Sequence, residues 1–401
     1  MTYDVAAVRA QFPALASGIA HFDGPGGTQT PRSVIDAIGS ALSSPLSNRG
    51  DGTPGERNAE SIVGESRQAL ADLLGADPAG IVFGRSATQL TYDFSRALSK
   101  GWKSGDEVVV TRLDHDSNVR PWIQAAERVG AVVRWVEFDP ATGELLPEHV
   151  RAVLSERTRL VAITAASNLI GTQPDLPAIA QSVHEVGALL YVDGVHHTAH
   201  ATVDLRALGA DFYVCSSYKF LGPHMGVLAA APALLETVWP DKLLPSTNVV
   251  PERFEFGTLP YELLAGARAA VDFLADLSPA SAGARRGRLV ATYAALNEHE
   301  DVLRDRIEAG LAELESAHVY SRAARRTPTL LVTFADRSTV DAYRFLAENK
   351  VHAPSGAFYA IEASRHLGLG DTGALRIGLA PYNDAEDVER LLGALTKFVY
   401  A

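Results

Sequence analysis

Ala188-Leu-Leu-Tyr-Val-Asp193-Gly-Val-His-His-Thr-Ala-His200, followed by Asp211-Phe-Tyr-Val-Cys-Ser-Ser-Tyr-Lys219-Phe-Leu-Gly-Pro223, decides how this chain is read. Each stretch begins as a short apolar run, the pattern of a strand buried on both faces. The first run ends in a carboxylate followed by glycine. A carboxylate at a strand end can pair with a protonated ring nitrogen; it can equally cap a helix or bind a metal. The second run leads to a lysine set among Tyr218, Phe220 and Leu221, 26 residues after Asp193. Desolvation there disfavours the ammonium and makes the amine nucleophilic. The ordinary alternative is a lysine that snorkels to solvent. The chain has only six lysines among its 36 basic residues, so one in an apolar setting stands out.

Outward from this stretch, the pattern alternates. Apolar runs at Gly80–Phe83, Glu107–Thr111, Val132–Glu137, Leu160–Ala165, Leu189–Asp193, Phe212–Ser216 and Gly226–Ala230 are strand candidates. Helical periodicity falls between most of them, at Ser61–Leu74, Gln89–Leu98, Val119–Val129, Pro147–Leu154 and Leu176–Val186. Strand–helix alternation implies an α/β domain with a mostly parallel sheet covered on both faces, and ligands gather at the carboxyl ends of its strands. After about Pro260 two long helices are expected, Glu262–Leu277 and Gly287–Glu315, separated by the small-residue break Ser278–Gly283. Strands Thr329–Phe334 and Leu375–Gly378 and a closing helix Glu386–Phe398 follow. The expected division is a large domain over 20–270 and a smaller α+β domain over 271–401, with residues 1–19 packed on the latter.

Composition limits function. With 401 residues and 47% hydrophobic content, the chain can bury a large core, and its size suggests two domains. The net charge of −12 disfavours nucleic acids and anionic membranes as partners. One cysteine, Cys215, allows neither an intrachain disulfide nor a cysteine-based metal site. The first residues lack an apolar signal-peptide core, and no uncharged apolar run is long enough to span a bilayer. A cytoplasmic protein is the expectation.

Three further motifs follow strand candidates. Gly84-Arg-Ser-Ala-Thr88-Gln89 opens a helix with small residues and hydroxyls, which makes an anion site of its free N–H groups or a plain N-cap. Asp114-His115-Asp-Ser-Asn118 can bring an imidazole over a ring or simply form a capped loop. Ser167-Asn168 can donate to a ring hydroxyl. Anion site, ring stack, ring-nitrogen partner and nucleophilic amine together describe what pyridoxal 5′-phosphate (PLP) needs from a protein.

Taken in order, these motifs resemble those of the class V aminotransferases, a family of fold-type I PLP enzymes, and among them the cysteine desulfurase-like group. The resemblance runs from about His21 to Phe398. It implies a homodimer with shared active sites and a small amino-acid substrate. It implies Lys219 as the Schiff-base lysine, Asp193 on the pyridine nitrogen and His115 stacked on the ring. Ala87, Thr88 and Ser216 would hold the phosphate, with Asn168 and His196 near the ring hydroxyl. Gly257 and Thr258, in Phe254-Glu-Phe-Gly-Thr258, would reach the phosphate of the neighbouring subunit. Arg376, in Leu375-Arg-Ile-Gly-Leu-Ala-Pro-Tyr-Asn383, would grip the substrate carboxylate; a structural ion pair is its other reading. A metal is not expected at His196, His197 and His200.

Three departures accompany the likeness. A desulfurase needs a thiolate in the loop that here reads Val351-His-Ala-Pro-Ser-Gly-Ala-Phe-Tyr-Ala360, without cysteine. His196 stands where the family usually has glutamine, and Tyr218 where desulfurases have histidine. A putative-aminotransferase subgroup lacking the nucleophile matches best. After Lys219 removes the α-proton, transamination, β-elimination (a C–S lyase) and epimerisation all remain open; a non-catalytic module on the same scaffold is a further class. The turn Pro25-Gly-Gly27 is expected beside the substrate pocket, and Arg49–Arg57 as a polar loop, mobile near the substrate or merely connecting.

Overall fold

The structure is a computed structural model that describes residues 3–277 and 283–400. Seven strands form the main sheet: β1 (Ile81–Gly84), β2 (Glu107–Thr111), β3 (Val132–Val136), β4 (Thr158–Thr164), β5 (Leu189–Asp193), β6 (Phe212–Ser216) and β7 (Gly226–Ala230). Their order is β1-β7-β6-β5-β4-β2-β3. The pairs among β6, β5, β4, β2 and β3 are parallel, while β7 runs antiparallel to both β1 and β6. The exception has a simple cause: only a single 3-10 turn, Ser217–Lys219, and no α-helix separates β6 from β7, so the chain returns through a short connection. The sheet is therefore mixed and mostly parallel.

Alternate residues of the strands feed two cores. Val109, Val161, Ile163, Leu190, Val192, Tyr213 and Val227 face one side. Val108, Val110, Leu160, Ala162, Tyr191, Val214 and Leu228 face the other. Both faces are apolar because helices cover both. Burying each such Val, Leu or Ile contributes about 1.5–3 kcal/mol. The covering helices include α1 (Arg32–Ser43), α2 (Pro54–Leu74), α3 (Ala87–Ser99), α4 (Arg120–Val129), α5 (Leu176–Glu185) and α6 (Tyr261–Asp276).

A third core gathers the C-terminal elements. The 28-residue helix α7 (Arg285–Ala312) joins the two regions: Leu289, Tyr293 and Leu296 pack in the first core, and Leu303, Ile307 and Leu311 in the third. A four-stranded antiparallel sheet follows, formed by β8 (Ala317–Val319), β9 (Thr329–Phe334), β10 (Ser355–Gly356) and β11 (Ala374–Gly378). Helices α8 (Thr339–Glu348) and α9 (Ala385–Tyr400) cover it. Ala20 and Phe22 also belong to this core, because the segment Ala20–His21 pairs in parallel with Val351–His352. The expected break at Ser278–Gly283 lies largely outside the described residues. No helix among the described residues is long and apolar enough to cross a membrane.

Among the elements that differ from the sequence expectation are two helices. Helix α2 begins at Pro54, because Thr53 and Glu56 form a capping box around its first turn. The stretch Arg49–Arg57 is thus partly helix, and Arg49 is held by Glu60 and Glu252. Helix α8, capped by Ser338, was not anticipated.

Candidate active site

The carboxyl ends of β2, β4, β5 and β6 open into a cavity of about 840 Å³. Its walls include His115, Asn168, Asp193, His196, Ser216, Tyr218, Lys219 and Arg376, together with Ala87 and Thr88. Pro25 and Gly26 line it as well, as expected of that turn.

Asp193 is the last residue of β5 and is buried. Its Oδ1 accepts from the Val195 N–H at 2.9 Å. Burial raises its carboxyl to about 6, against the opposing pull of that N–H and of Lys219. Gly194 can only be glycine, since a Cβ there would lie 1.9 Å from the ring of Tyr213.

Lys219 ends the short turn after β6 and is 8% exposed. Its Nζ donates to the Pro25 carbonyl and lies 5.0 Å from the centroid of the Tyr218 ring. Burial, reinforced by the charge of Arg376, lowers its ammonium to about 7. Tyr218 stacks on His224 at 4.7 Å, and burial raises its phenol above the usual range. Among the described residues that phenol makes no hydrogen bond.

His115 follows β2. Burial, then Lys219 and Arg376, lower its imidazolium to about 4, so the ring is neutral. The Ser117 N–H donates to its Nδ1 at 3.1 Å, which leaves the ring proton on Nε2. Beneath it, Asp114 accepts from Thr111 and from Asn118, and the Asn118 amide oxygen accepts from Trp122. This buried chain fixes the loop that carries the imidazole.

Arg376 lies on β11 and is 2% exposed. It donates to the Asn168 carbonyl at 2.9 Å, and its guanidinium sits 3.7 Å over the ring of Phe358. Its Nε has no partner, and no carboxylate pairs with it among the described residues. Burial lowers it to about 9, with Asp23 acting in the other direction. Such a buried, uncompensated guanidinium is costly and suits an incoming carboxylate.

His196 turns its Nε2 toward two hydroxyls of the C-terminal region, Thr327 Oγ1 at 2.9 Å and Thr329 Oγ1 at 3.0 Å. The Thr327 hydroxyl has two acceptors, Thr329 Oγ1 at 3.3 Å and the Gly171 carbonyl at 3.5 Å, so this cluster accommodates either ring tautomer of His196. Burial holds the ring neutral. His197 binds Tyr213 and His200 binds Glu300, both away from the cavity.

The first turn of α3 presents backbone donors at the cavity wall. Ser86 caps it by accepting from Gln89, and the N–H groups of Ala87 and Thr88 have no intrahelical acceptor. Gly226 makes room for this turn, because a Cβ there would lie 2.3 Å from the Ser86 carbonyl carbon. Gly257 and Thr258 are exposed and lie outside the main cavity of their own chain. Thr258 instead borders a second hollow, shared with Arg85, Ser86 and Thr88.

Phe358 and Tyr359 are among the cavity residues that escaped the sequence reading. Both have left-handed backbone, with φ 51° and 58°. The Asp116 N–H donates to the Tyr359 carbonyl at 2.7 Å, and the Asn168 side chain donates to the Phe358 carbonyl at 3.0 Å. Tyr359 also stacks on His115, ring centroids 5.5 Å apart. Their loop was singled out only for lacking cysteine. Cys215 offers no replacement: it points into the core from β6, and burial raises its thiol to about 12.

The comparisons with known proteins agree with this geometry. The aminotransferase class-V family matches residues 20–391. An uncharacterised protein of Mycobacterium tuberculosis is 33% identical, with 98% of this chain and 99% of that protein covered. A probable cysteine desulfurase of Pseudomonas aeruginosa is 30% identical, with 97% of each covered. The crystal structure of the Escherichia coli cysteine desulfurase CsdA superposes with a TM-score of 0.87 at 25% identity, over 100% of this chain and 99% of that one. The chain belongs to the class V aminotransferase family, with the fold-type I architecture and PLP as the family cofactor. The residues present fit that cofactor: free N–H groups at α3, a buried carboxylate and a buried amine share one cavity, and the buried Asn168 Oδ1 lacks a partner.

Proposed function

We propose that this chain is a PLP-dependent enzyme acting at the α-carbon of a small amino acid, class V aminotransferase-like, without a persulfide step. One observation carries the reading: Lys219, Asp193, His115 and an unpaired Arg376 converge in one cavity. When bound, PLP supplies an electron sink for charge developed at the α-carbon. The Asp193 carboxylate holds a proton on the ring nitrogen. The Lys219 amine takes the α-proton and returns it, an exchange suited to a group titrating near neutrality. Arg376 holds the substrate carboxylate and so orients the bond that breaks. His115 stacks on the ring, and Asn168 and His196 address the ring oxygen. Ala87, Thr88 and Ser216 bind the phosphate.

Gly257 and Thr258 would serve the partner subunit's site, so the working unit is a homodimer in the cytoplasm. Trp239, Leu243, Leu244, Val249 and Phe256, all exposed in one stretch, supply an apolar face for that association. β-Elimination is the second reading. Its support is the Tyr218 phenol, which lies beside Lys219 with no hydrogen-bond partner among the described residues and is kept protonated for a departing group.

Visible absorbance with and without borohydride, for the wild type and Lys219→Ala, tests cofactor attachment. An amino-acid panel scored for keto-acid-dependent transamination, pyruvate and sulfide then separates the reactions. A wild-type protein that cannot be loaded with PLP overturns the proposal, and so does sulfur recovered as a protein persulfide.

A further inference from the structure

We propose that His21, Asp23 and His352 form a binding site for one divalent transition-metal ion. The site follows from strand geometry. The segments Ala20–His21 and Val351–His352 pair in parallel with His21 directly opposite His352, so the two imidazoles emerge side by side. Asp23, two residues after His21, returns to the same face. The ligand atoms of the three side chains all lie within 4.8 Å of one another. The two rings are 5.3 Å apart and nearly perpendicular, an arrangement that brings their nitrogens together without stacking.

A second observation points to a ligand. Asp23 Oδ1 is buried and has no hydrogen-bond partner. It approaches His21 Nδ1 at 3.4 Å without forming a hydrogen bond. Bonds of about 2.0–2.1 Å to a tetrahedral ion would set ligand atoms roughly 3.4 Å apart, so this pair already has the spacing. The partly exposed His352 ring supplies the rotation that closes the remaining gap. The Gln29 amide nitrogen hydrogen-bonds the same Nδ1 at 3.4 Å, a contact the ion would replace, and a turned-over Gln29 amide offers its oxygen as a fourth ligand. Two imidazoles and one carboxylate suit zinc, nickel, cobalt or copper rather than magnesium or calcium.

The ion would join the N-terminal segment to the strand that leads into the Val351–Ala360 loop. It would also draw on the carboxylate whose field reaches Arg376. Its role is therefore structural, in the segment just before the cavity-lining Pro25, and it does not depend on the reaction proposed above.

Zinc is the probe. The PLP-loaded protein, stripped with chelator, is titrated with zinc chloride by calorimetry beside His352→Ala, Asp23→Asn and the double variant. The expected result is one equivalent bound, with affinity weakened at least ten-fold in each single variant and lost in the double one. An anomalous peak among the three side chains in a zinc-soaked crystal gives the same answer without mutation. Zinc binding of equal affinity in all four proteins overturns the proposal, as does the absence of stoichiometric binding to the wild type. His352 is partly exposed, so its replacement leaves the fold intact, which circular dichroism checks.

Discussion

At the residue scale, the site is governed by burial. Asp193, Lys219, His115 and Arg376 are all displaced from their ordinary protonation ranges, and desolvation is the largest cause for each. A pH dependence follows. Below about 6 the Asp193 carboxyl is protonated and cannot hold a ring proton by charge; below about 7 the Lys219 amine is an ammonium and cannot attack an aldehyde. The rate at which the apoprotein takes up PLP, followed by absorbance, is expected to climb from about pH 6, pass its midpoint near 7 and level off above about 8. A rise beginning only near pH 10 would show that Lys219 is solvated. A second prediction concerns His196. Thr329→Val removes one of the two hydroxyls that meet His196 Nε2. Nitrogen-15 NMR of labelled histidine should show the His196 ring-nitrogen signals moved in the variant, with the bound cofactor's absorbance maximum shifted. An unchanged spectrum on both counts would remove Thr329 from the site.

Most of the residues that were legible in the sequence share one property: they stand at, or just past, the end of a recognisable strand. His115, Asn168, Asp193 and Lys219 all follow apolar runs whose ends mark the ligand-binding edge of a parallel sheet. Phe358 and Tyr359 do not, since their loop is placed by left-handed backbone and by hydrogen bonds from Asp116 and Asn168, distant in sequence. Thr327 and Thr329 were invisible for the same reason. Their effect on His196 exists only once β9 is folded against the large sheet.

At the element scale, the main strands could be read because burial on both faces makes them continuous apolar runs. Boundaries were harder. The first turn of α2, Pro54-Gly-Glu-Arg57, is polar and glycine-bearing, which masked a helix whose Thr53/Glu56 capping box was present in the sequence. Helix α8 had a comparable signal in Ser338 and Asp341. One element contact makes a prediction. Gly226 of β7 lies so close to the α3 turn that Gly226→Ala must push Ser86 and Ala87 away. Overpacking of this kind costs about 1–3 kcal/mol. The displaced N–H groups should lower PLP affinity about ten-fold or more, measured as cofactor retained on dialysis. Retention equal to that of the wild type would place the phosphate elsewhere.

At the scale of the whole molecule, two regions meet over the cavity, joined by α7 and by the paired Ala20–His21 and Val351–His352 segments. On the proposed reading, the exposed Trp239, Leu243, Leu244, Val249 and Phe256 are covered by a second copy of the chain. Leu244→Glu combined with Val249→Glu should give a monomer by light scattering. That monomer should also lose PLP, because Thr258 would then have no partner site to serve. A monomer that holds PLP as tightly as the wild type would mean each site is complete in one chain.

The tethered Phe358–Tyr359 loop sets the terms of traffic through this protein. A carrier that passes a covalent cargo to another protein needs a loaded arm able to swing out of its pocket. Here the corresponding segment bears aromatic rings and is fastened to the opposite wall at two carbonyls. On the proposed reading, whatever is made beside Lys219 departs as a free small molecule, and the protein's commerce with its surroundings is by diffusion rather than by docking.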